Sequence, residues 1–309
     1  SHYWNQTGFP SKNKYIYLEN SYHGETLGAL AVTDVPIFRT HYGALIKNYI
    51  KTDSPDLRLK KNNQSSDEFL DEKLKKLTKI FKKNHQVTAS IIIEPMVQCA
   101  SGMGIYDARF LEGVRKLCDL YEVHLIADEI AVGFGRTGKM FAHQHAKITP
   151  DFVCLSKGLT GGYLPMSVTL TSDKIYNAFY DDDIKKGFLH SHSYTGNPLA
   201  CSAALGTLSI FESDKVLKKN LILSKKINRL FSSLEDLPIS DLRNIGMIWA
   251  FELDSKISID KVLAYSLNKG VLIRPIDNTI YFMPPYCIKE NEARQMIKVT
   301  REAILYASA

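Results

Sequence analysis

Short apolar runs alternate with segments of helical period along most of this chain. KYIYL is followed by GETLGALAV, TASIIIE by DARFLEGVRKLCDLY, and VHLIADE and DFVCLS precede NPLACSAALGTLSIF. Strands this short, separated by helices, need crossover connections, and such connections build a mostly parallel sheet covered on both faces. The expected class is therefore α/β. From about Glu212 the pattern changes to a long Lys-rich helix, the run NIGMIWAFEL, a helix near Ile259 to Asn268, the runs VLIRP and TIYFMPP, and a last helix from about Glu290. This predicts a large domain over residues 1–212 and a smaller α+β domain over 213–309. With 309 residues, 45% of them apolar, the chain can bury a core in each. The hydrophilic stretch KTDSPDLRLKKNNQSSDE has little apolar surface to bury and reads as a surface loop.

Ligands of open parallel sheets bind beyond the carboxyl ends of the strands, where loops and helix N-termini converge. SIIIE finishes on Glu94, HLIAD on Asp128 and DFVCLSK on Lys157. Three ionisable groups at three such ends are poorly explained as solvated decoration. The segment Gly133 to Lys139, just after Asp128, has the glycine and lysine spacing of a nucleotide-binding loop, G-x-x-x-x-G-K-[ST]. The next residue is Met140, which has no hydroxyl for magnesium. The loop also follows its acidic strand instead of preceding it and lacks the strand-loop-helix context. A Gly-rich turn packed near the site is the better reading.

The net charge of +6 raises the question of nucleic acid. Much of the excess lies in RLKKNN and EKLKKLTKIFKKN, where Leu74, Leu77, Ile80 and Phe81 recur at helical spacing among lysines. That is the solvated face of an amphipathic helix, without the interleaved aromatics of a base-stacking platform. Neither nucleic acid nor a metal is expected as a partner. The five cysteines, Cys99, Cys118, Cys154, Cys201 and Cys287, are dispersed without a C-x-x-C pair, which fits reduced thiols in a cytoplasmic protein. The longest apolar runs are strand-sized, so no membrane span is expected.

A lysine at the end of an apolar strand is costly to bury charged, and the neutral amine that burial favours can attack a carbonyl. Pyridoxal phosphate chemistry uses such an amine together with a carboxylate that keeps the pyridine nitrogen protonated. Lys157 and Asp128, one strand apart, match that pair. A surface ion pair explains either residue singly, but less well both at equivalent strand ends.

The stretch LIADEIAVGFGRTGKMFAHQHAKITPDFVCLSKGLTGGYLPMS resembles the segment from Asp-Glu to the Schiff-base lysine of class III, fold-type I pyridoxal phosphate aminotransferases. NSYHGETLGALAVT, EPMVQCASGM, HSYTGNPLACSAAL and VLIRP with TIYFMPPY add further segments in family order. Within the class they are most similar to the biotin-pathway branch, which converts 8-amino-7-oxononanoate to 7,8-diaminononanoate.

The resemblance implies a role for each matching residue. Lys157 would tether the cofactor and shuttle the substrate proton, and Asp128 would pair with the pyridinium nitrogen. Tyr22 would stack on the ring and face substrate, since a π-surface holds the ring without competing for its protons. Ser193, with Ser191 and His192 on the same loop, would reach the cofactor phosphate and the substrate across the interface of a homodimer with shared active sites. Ser193 stands where many members have Thr. Arg274 would hold the oxo-acid carboxylate with its planar fork, partly buried among Leu272, Ile273 and Pro275. Glu94 and His23 would stand behind the residues that touch the cofactor.

The similarity covers nearly the whole chain, but the family's N-terminal segment and its phosphate-binding Gly-Ser turn have no counterpart before Ser1. Either a fragment of a longer protein or a chain whose N-terminal part was lost or left out is expected. Ornithine, acetylornithine and 4-aminobutyrate aminotransferases carry an acid shortly after Glu-Pro, where this chain has Gln98 and Cys99. That difference favours the biotin branch. Retained Lys157, Asp128 and Arg274 argue against an inactive fragment. The branch implies S-adenosylmethionine as amino donor, while GGYLP and HSYTGN are similar to members that use lysine.

Overall fold

The computed structural model describes residues 1–308. Six strands form the main sheet: β1 (Lys14–Leu18), β2 (Ile50–Thr52), β3 (Thr88–Ile93), β6 (His124–Asp128), β7 (Phe152–Leu155) and β8 (Val168–Thr171). Their order is β2-β1-β3-β6-β7-β8, parallel throughout except for β8, which runs antiparallel to β7. This is the mostly parallel α/β sheet that the alternating pattern predicts. A two-stranded ribbon joins β4 (Val97–Gln98) to β5 (Gly104–Ile105).

One face of the main sheet packs on two amphipathic helices. Helix Ser66–Asn84 begins with a capping box between Ser65 and Glu68, worth about 1 kcal/mol, and buries Phe69, Leu70, Leu77 and Phe81. Most of its lysines lie on the solvent side, while Lys73 folds over the Phe69 ring and pairs with Asp53 at 2.9 Å. Helix Ala108–Tyr121 is capped by Asp107 and buries Phe110, Leu111, Val114 and Cys118. These residues close over Ile16, Leu18, Ile91, Ile93 and Leu125, the inward set of three central strands.

The second sheet is antiparallel, in the order β11-β12-β10-β9, from β9 (Ile239–Ile245), β10 (Ile248–Leu253), β11 (Arg274–Ile276) and β12 (Thr279–Phe282). Its core joins Trp249, Phe251 and Phe282 to Phe231, Val262, Ile297 and Ile304 from helices Val216–Phe231, Ile259–Asn268 and Glu290–Ser308.

The two sheets interlock at the β9–β10 turn. Gly246, at φ +55°, presses on the Gly-rich loop, and Met247 N–H donates to Arg136 O at 2.9 Å. A Cβ at 246 would lie 2.4 Å from the carbonyl carbon of Thr137, so both the space and the left-handed backbone demand glycine. The supposed nucleotide loop is a socket for this turn. It leads into a short 3-10 helix at Ala142–Ala146, not an α-helix, and Lys139 Nζ donates to Gln144 O.

The hydrophilic stretch after residue 50 departs from the surface-loop expectation. Lys51 is exposed, but Thr52, Ser54 and Asp56 are buried, and from Leu59 onward most of the stretch returns to solvent. Burying polar groups is tolerable here because they are paired. Ser54 Oγ donates to Gln98 Oε1, and Asp56 receives two bonds from Arg58.

Candidate active site

Register places the strand-end residues side by side. Asp128 of β6 is level with Cys154 of β7, and Lys157 lies three residues beyond that partner. Glu94 directly follows β3, whose Ile93 is level with Ala127. The Cys99 thiol joins them: its pKa is raised, first by burial and then by Glu94, while Lys157 and Arg136 oppose the shift.

Asp128 is 7% exposed. One oxygen accepts from Ile130 N–H at 3.1 Å, and the other lies 2.7 Å from His23 Nδ1. A carboxylate can only accept, so Nδ1 carries that hydrogen. His23 Nε2 is buried and has no partner. No lysine or arginine among the described residues pairs with Asp128. A buried carboxylate ordinarily demands a cation, and its free lone pairs suit a protonated ring nitrogen.

Glu94 is buried and receives Tyr22 N–H at 2.9 Å and Cys99 N–H at 3.1 Å. Burial raises its pKa to about 7, the nearby Asp128 charge adds to the shift, and His23 and the two N–H donors oppose it. Tyr22 is thereby held by its backbone, while its hydroxyl bonds Glu25 at 2.9 Å and its ring lies 4.7 Å from that of Phe38. Burial and Glu25 raise the phenol pKa to about 12.

Lys157 differs from expectation in one respect: it is exposed rather than buried. The strand ends at Leu155, and Lys157 opens a short 3-10 turn at φ +47°, a conformation that costs an L residue about 1 kcal/mol. Ser156 Oγ bonds Met166 O at 2.7 Å and fixes the approach to that turn. The Lys157 amine makes no hydrogen bond or ion pair with the described residues, which leaves it free for chemistry.

Arg274 is also exposed, against the partial burial inferred from its neighbours. It heads the edge strand β11, opposite Tyr281; adjacent Ile273 is buried, while Leu272, two residues away, is 83% exposed. Ser191, His192 and Ser193 lie on an exposed loop whose bonds are local, from His192 N–H to Thr195 Oγ1 and from Tyr194 N–H to His192 Nδ1. Thus Tyr22, His23, Glu94, Asp128 and Lys157 form one cluster, and the 191–193 loop makes no hydrogen bond to it.

Two residues escaped the sequence reading. Glu129, fully buried, accepts from Ala142 N–H, His143 N–H and His143 Nδ1 at 2.8, 2.7 and 2.9 Å, holding the 3-10 segment that follows the Gly-rich loop. Arg136 packs its guanidinium 4.4 Å from the Tyr286 ring centroid and donates to Pro284 O at 2.7 Å, and burial lowers its pKa. A charged residue inside so glycine-rich a run was the available signal for Arg136.

The sequence profile described as aminotransferase class-III matches residues 1–304. The adenosylmethionine-8-amino-7-oxononanoate aminotransferase of Helicobacter pylori is 44% identical over 296 residues, 93% of this chain and 66% of that protein. The chain thus spans just under two thirds of that relative's length. The crystal structure of the Methanocaldococcus jannaschii protein of the same name superposes with a TM-score of 0.90 at 33% identity, covering 100% of this chain and 71% of that one. An omega transaminase from Pseudomonas jessenii reaches a TM-score of 0.93 at 25% identity, over 99% and 71% of the two chains.

Proposed function

This chain belongs to the class-III aminotransferases, and from that premise we propose that it transaminates 8-amino-7-oxononanoate to 7,8-diaminononanoate on pyridoxal phosphate. S-adenosylmethionine is the proposed amino donor. The names of the relatives support the substrates. The observation that carries the chemistry is buried Asp128, without a lysine or arginine partner, one strand from the unpaired amine of Lys157.

Pyridoxal phosphate, when bound, supplies an electron-accepting ring that stabilises negative charge at the donor's α-carbon and carries the amino group between substrates. Lys157 Nζ would hold the cofactor covalently and would serve as the base that takes and returns the substrate proton. Asp128 holds the proton on the ring nitrogen, and Ile130 N–H and His23 Nδ1–H keep its carboxylate aimed. Tyr22 covers the ring and lines the substrate side with Ser191. Arg274 grips a substrate carboxylate. His192 and Ser193 serve the phosphate from across a dimer interface. Residues 1–212 are taken as the cofactor-binding part and 213–309 as the smaller domain.

A second copy of the chain is the proposed partner. Helix Pro198–Ser213 is apolar, yet Leu199, Leu205 and Ile210 are 70%, 68% and 57% exposed. Tyr163, Leu189 and Tyr194 extend the exposed apolar set. Apolar surface of this extent marks an interface. No helix among the described residues is long and apolar enough to cross a membrane.

The test is a half-reaction on cofactor-loaded full-length protein, with S-adenosylmethionine, lysine and ornithine added separately and the visible cofactor band followed. S-adenosylmethionine should bleach the band. Bleaching by lysine instead would reassign the donor, and bleaching by ornithine alone would overturn the substrate reading.

A further inference from the structure

Glu252, on β10, lies at the junction of the two sheets and is 8% exposed. Its Oε1 accepts from Arg58 Nη1 and Arg243 Nη2, both at 2.8 Å, and its carboxylate also receives the Thr279 hydroxyl at 2.8 Å. Each arginine reaches on to the turn between β4 and β5. Arg58 Nη2 donates to Ser101 O at 2.6 Å, Arg243 Nε to Met103 O at 3.0 Å, and Arg243 Nη2 to Gly102 O. Asp56 completes the cluster at 2.6 Å from Arg58, so two cations face two carboxylates.

The turn has little room to shift. Gly102 adopts φ +73°, and a Cβ there would lie 2.5 Å from Thr279 Oγ1 and 2.9 Å from Arg58 Nη1. On its other side the turn is tied to the candidate site. Ser101 Oγ donates to Asn20 O at 2.6 Å, and Cys99 N–H donates to Glu94, whose second oxygen holds Tyr22. At the far end, Thr279 begins β12, whose pairing with β11 fixes Arg274 opposite Tyr281. A continuous polar path therefore runs from the backbone of Tyr22 to the strand that carries Arg274.

Removing four charges from water is expensive, and an apolar cluster would stabilise a domain junction at least as well. What a fully paired ionic cluster adds is a single geometry. We propose that Glu252 is a positioning residue: through Arg58, Arg243 and Thr279 it sets where Arg274 stands relative to Tyr22, and so sets recognition of the substrate carboxylate. The inference rests on the carboxylate-binding role proposed for Arg274. A misplacement of about 1 Å costs reaction efficiency by up to 10²-fold, so a measurable effect is expected from a group that never touches substrate.

The test uses cofactor-loaded full-length protein in its aminated form and compares an amino-oxo acid acceptor with its methyl ester. Wild type should prefer the acid. E252Q should lower that preference about tenfold through KM, with kcat and the ester's kcat/KM unchanged. R274A should abolish the preference, and E252Q/R274A should be no worse than R274A alone. Equal losses on acid and ester in E252Q, or an unaltered preference, would overturn the proposal. If R274A keeps the preference, the assignment of Arg274 itself fails, a separate result. Should E252Q not fold, R243K keeps the charge and loses the fork, and it should show the same selective KM rise. A full preference in R243K would overturn the proposal equally.

Discussion

His23 Nδ1 lies 2.7 Å from Asp128 Oδ2, while the other nitrogen of the same ring is buried without a partner. The one hydrogen bond of the ring among the described residues therefore goes to this carboxylate, which it anchors. His23→Ala should weaken cofactor retention about tenfold, by analogy with residues that orient ligating groups. Equilibrium dialysis against pyridoxal phosphate reads this directly, and an unchanged dissociation constant would remove His23 from the site.

Asp128→Asn keeps the shape of the side chain and removes the charge proposed to hold a proton on the cofactor's ring nitrogen. The expected outcome is a protein that still carries its cofactor on Lys157 but whose donor half-reaction slows on the order of 10²-fold or more. Borohydride followed by mass spectrometry should fix the cofactor to the chain in this variant, and should not do so in Lys157→Ala. Fixation in the Lys157 variant would refute the tether.

Glu94, raised to about 7 by burial, makes stability depend on pH with a definite sign. A carboxyl whose folded pKa exceeds its unfolded value favours the fold at low pH, and that contribution is lost as pH rises through the range from about 4.5 to 7. Glu94→Gln removes the titration. One of its two N–H donors then faces an amide NH2, a cost that does not vary with pH. Urea unfolding of cofactor-free protein should show the variant gaining on wild type between pH 5 and pH 8, on the order of 2 kcal/mol. Parallel stability curves would contradict the shift.

Gly246→Ala should destabilise the protein by about 2 kcal/mol, because a methyl must enter the space of the Arg136–Gly138 backbone from a left-handed conformation. Thermal unfolding measures it, and an unchanged midpoint would show that the loop yields freely.

The sequence revealed what periodicity can reveal. Glu94, Asp128 and Lys157 stand at the ends of apolar runs, and pairing those runs in parallel necessarily gathers them on one edge. Pairings set by tertiary structure left no such trace. Arg58 and Glu252 are 194 positions apart, and nothing local to PDLRL announces a partner on another sheet. The exposure of Lys157 and Arg274 was equally hidden, since buried neighbours do not bury the residue between them: Leu155, Leu159 and Ile273 are buried while Lys157 and Arg274 are exposed.

The docking of Gly246 into the loop around Arg136 also orders events in time. Met247 is made roughly a hundred residues after Arg136, which at ribosomal speed is a delay on the order of 5–20 seconds. Through that interval the loop between Asp128 and Lys157 lacks its plug, and the nascent site is open-jointed. In a newly made chain the seating of that loop therefore waits for the β9–β10 turn to emerge.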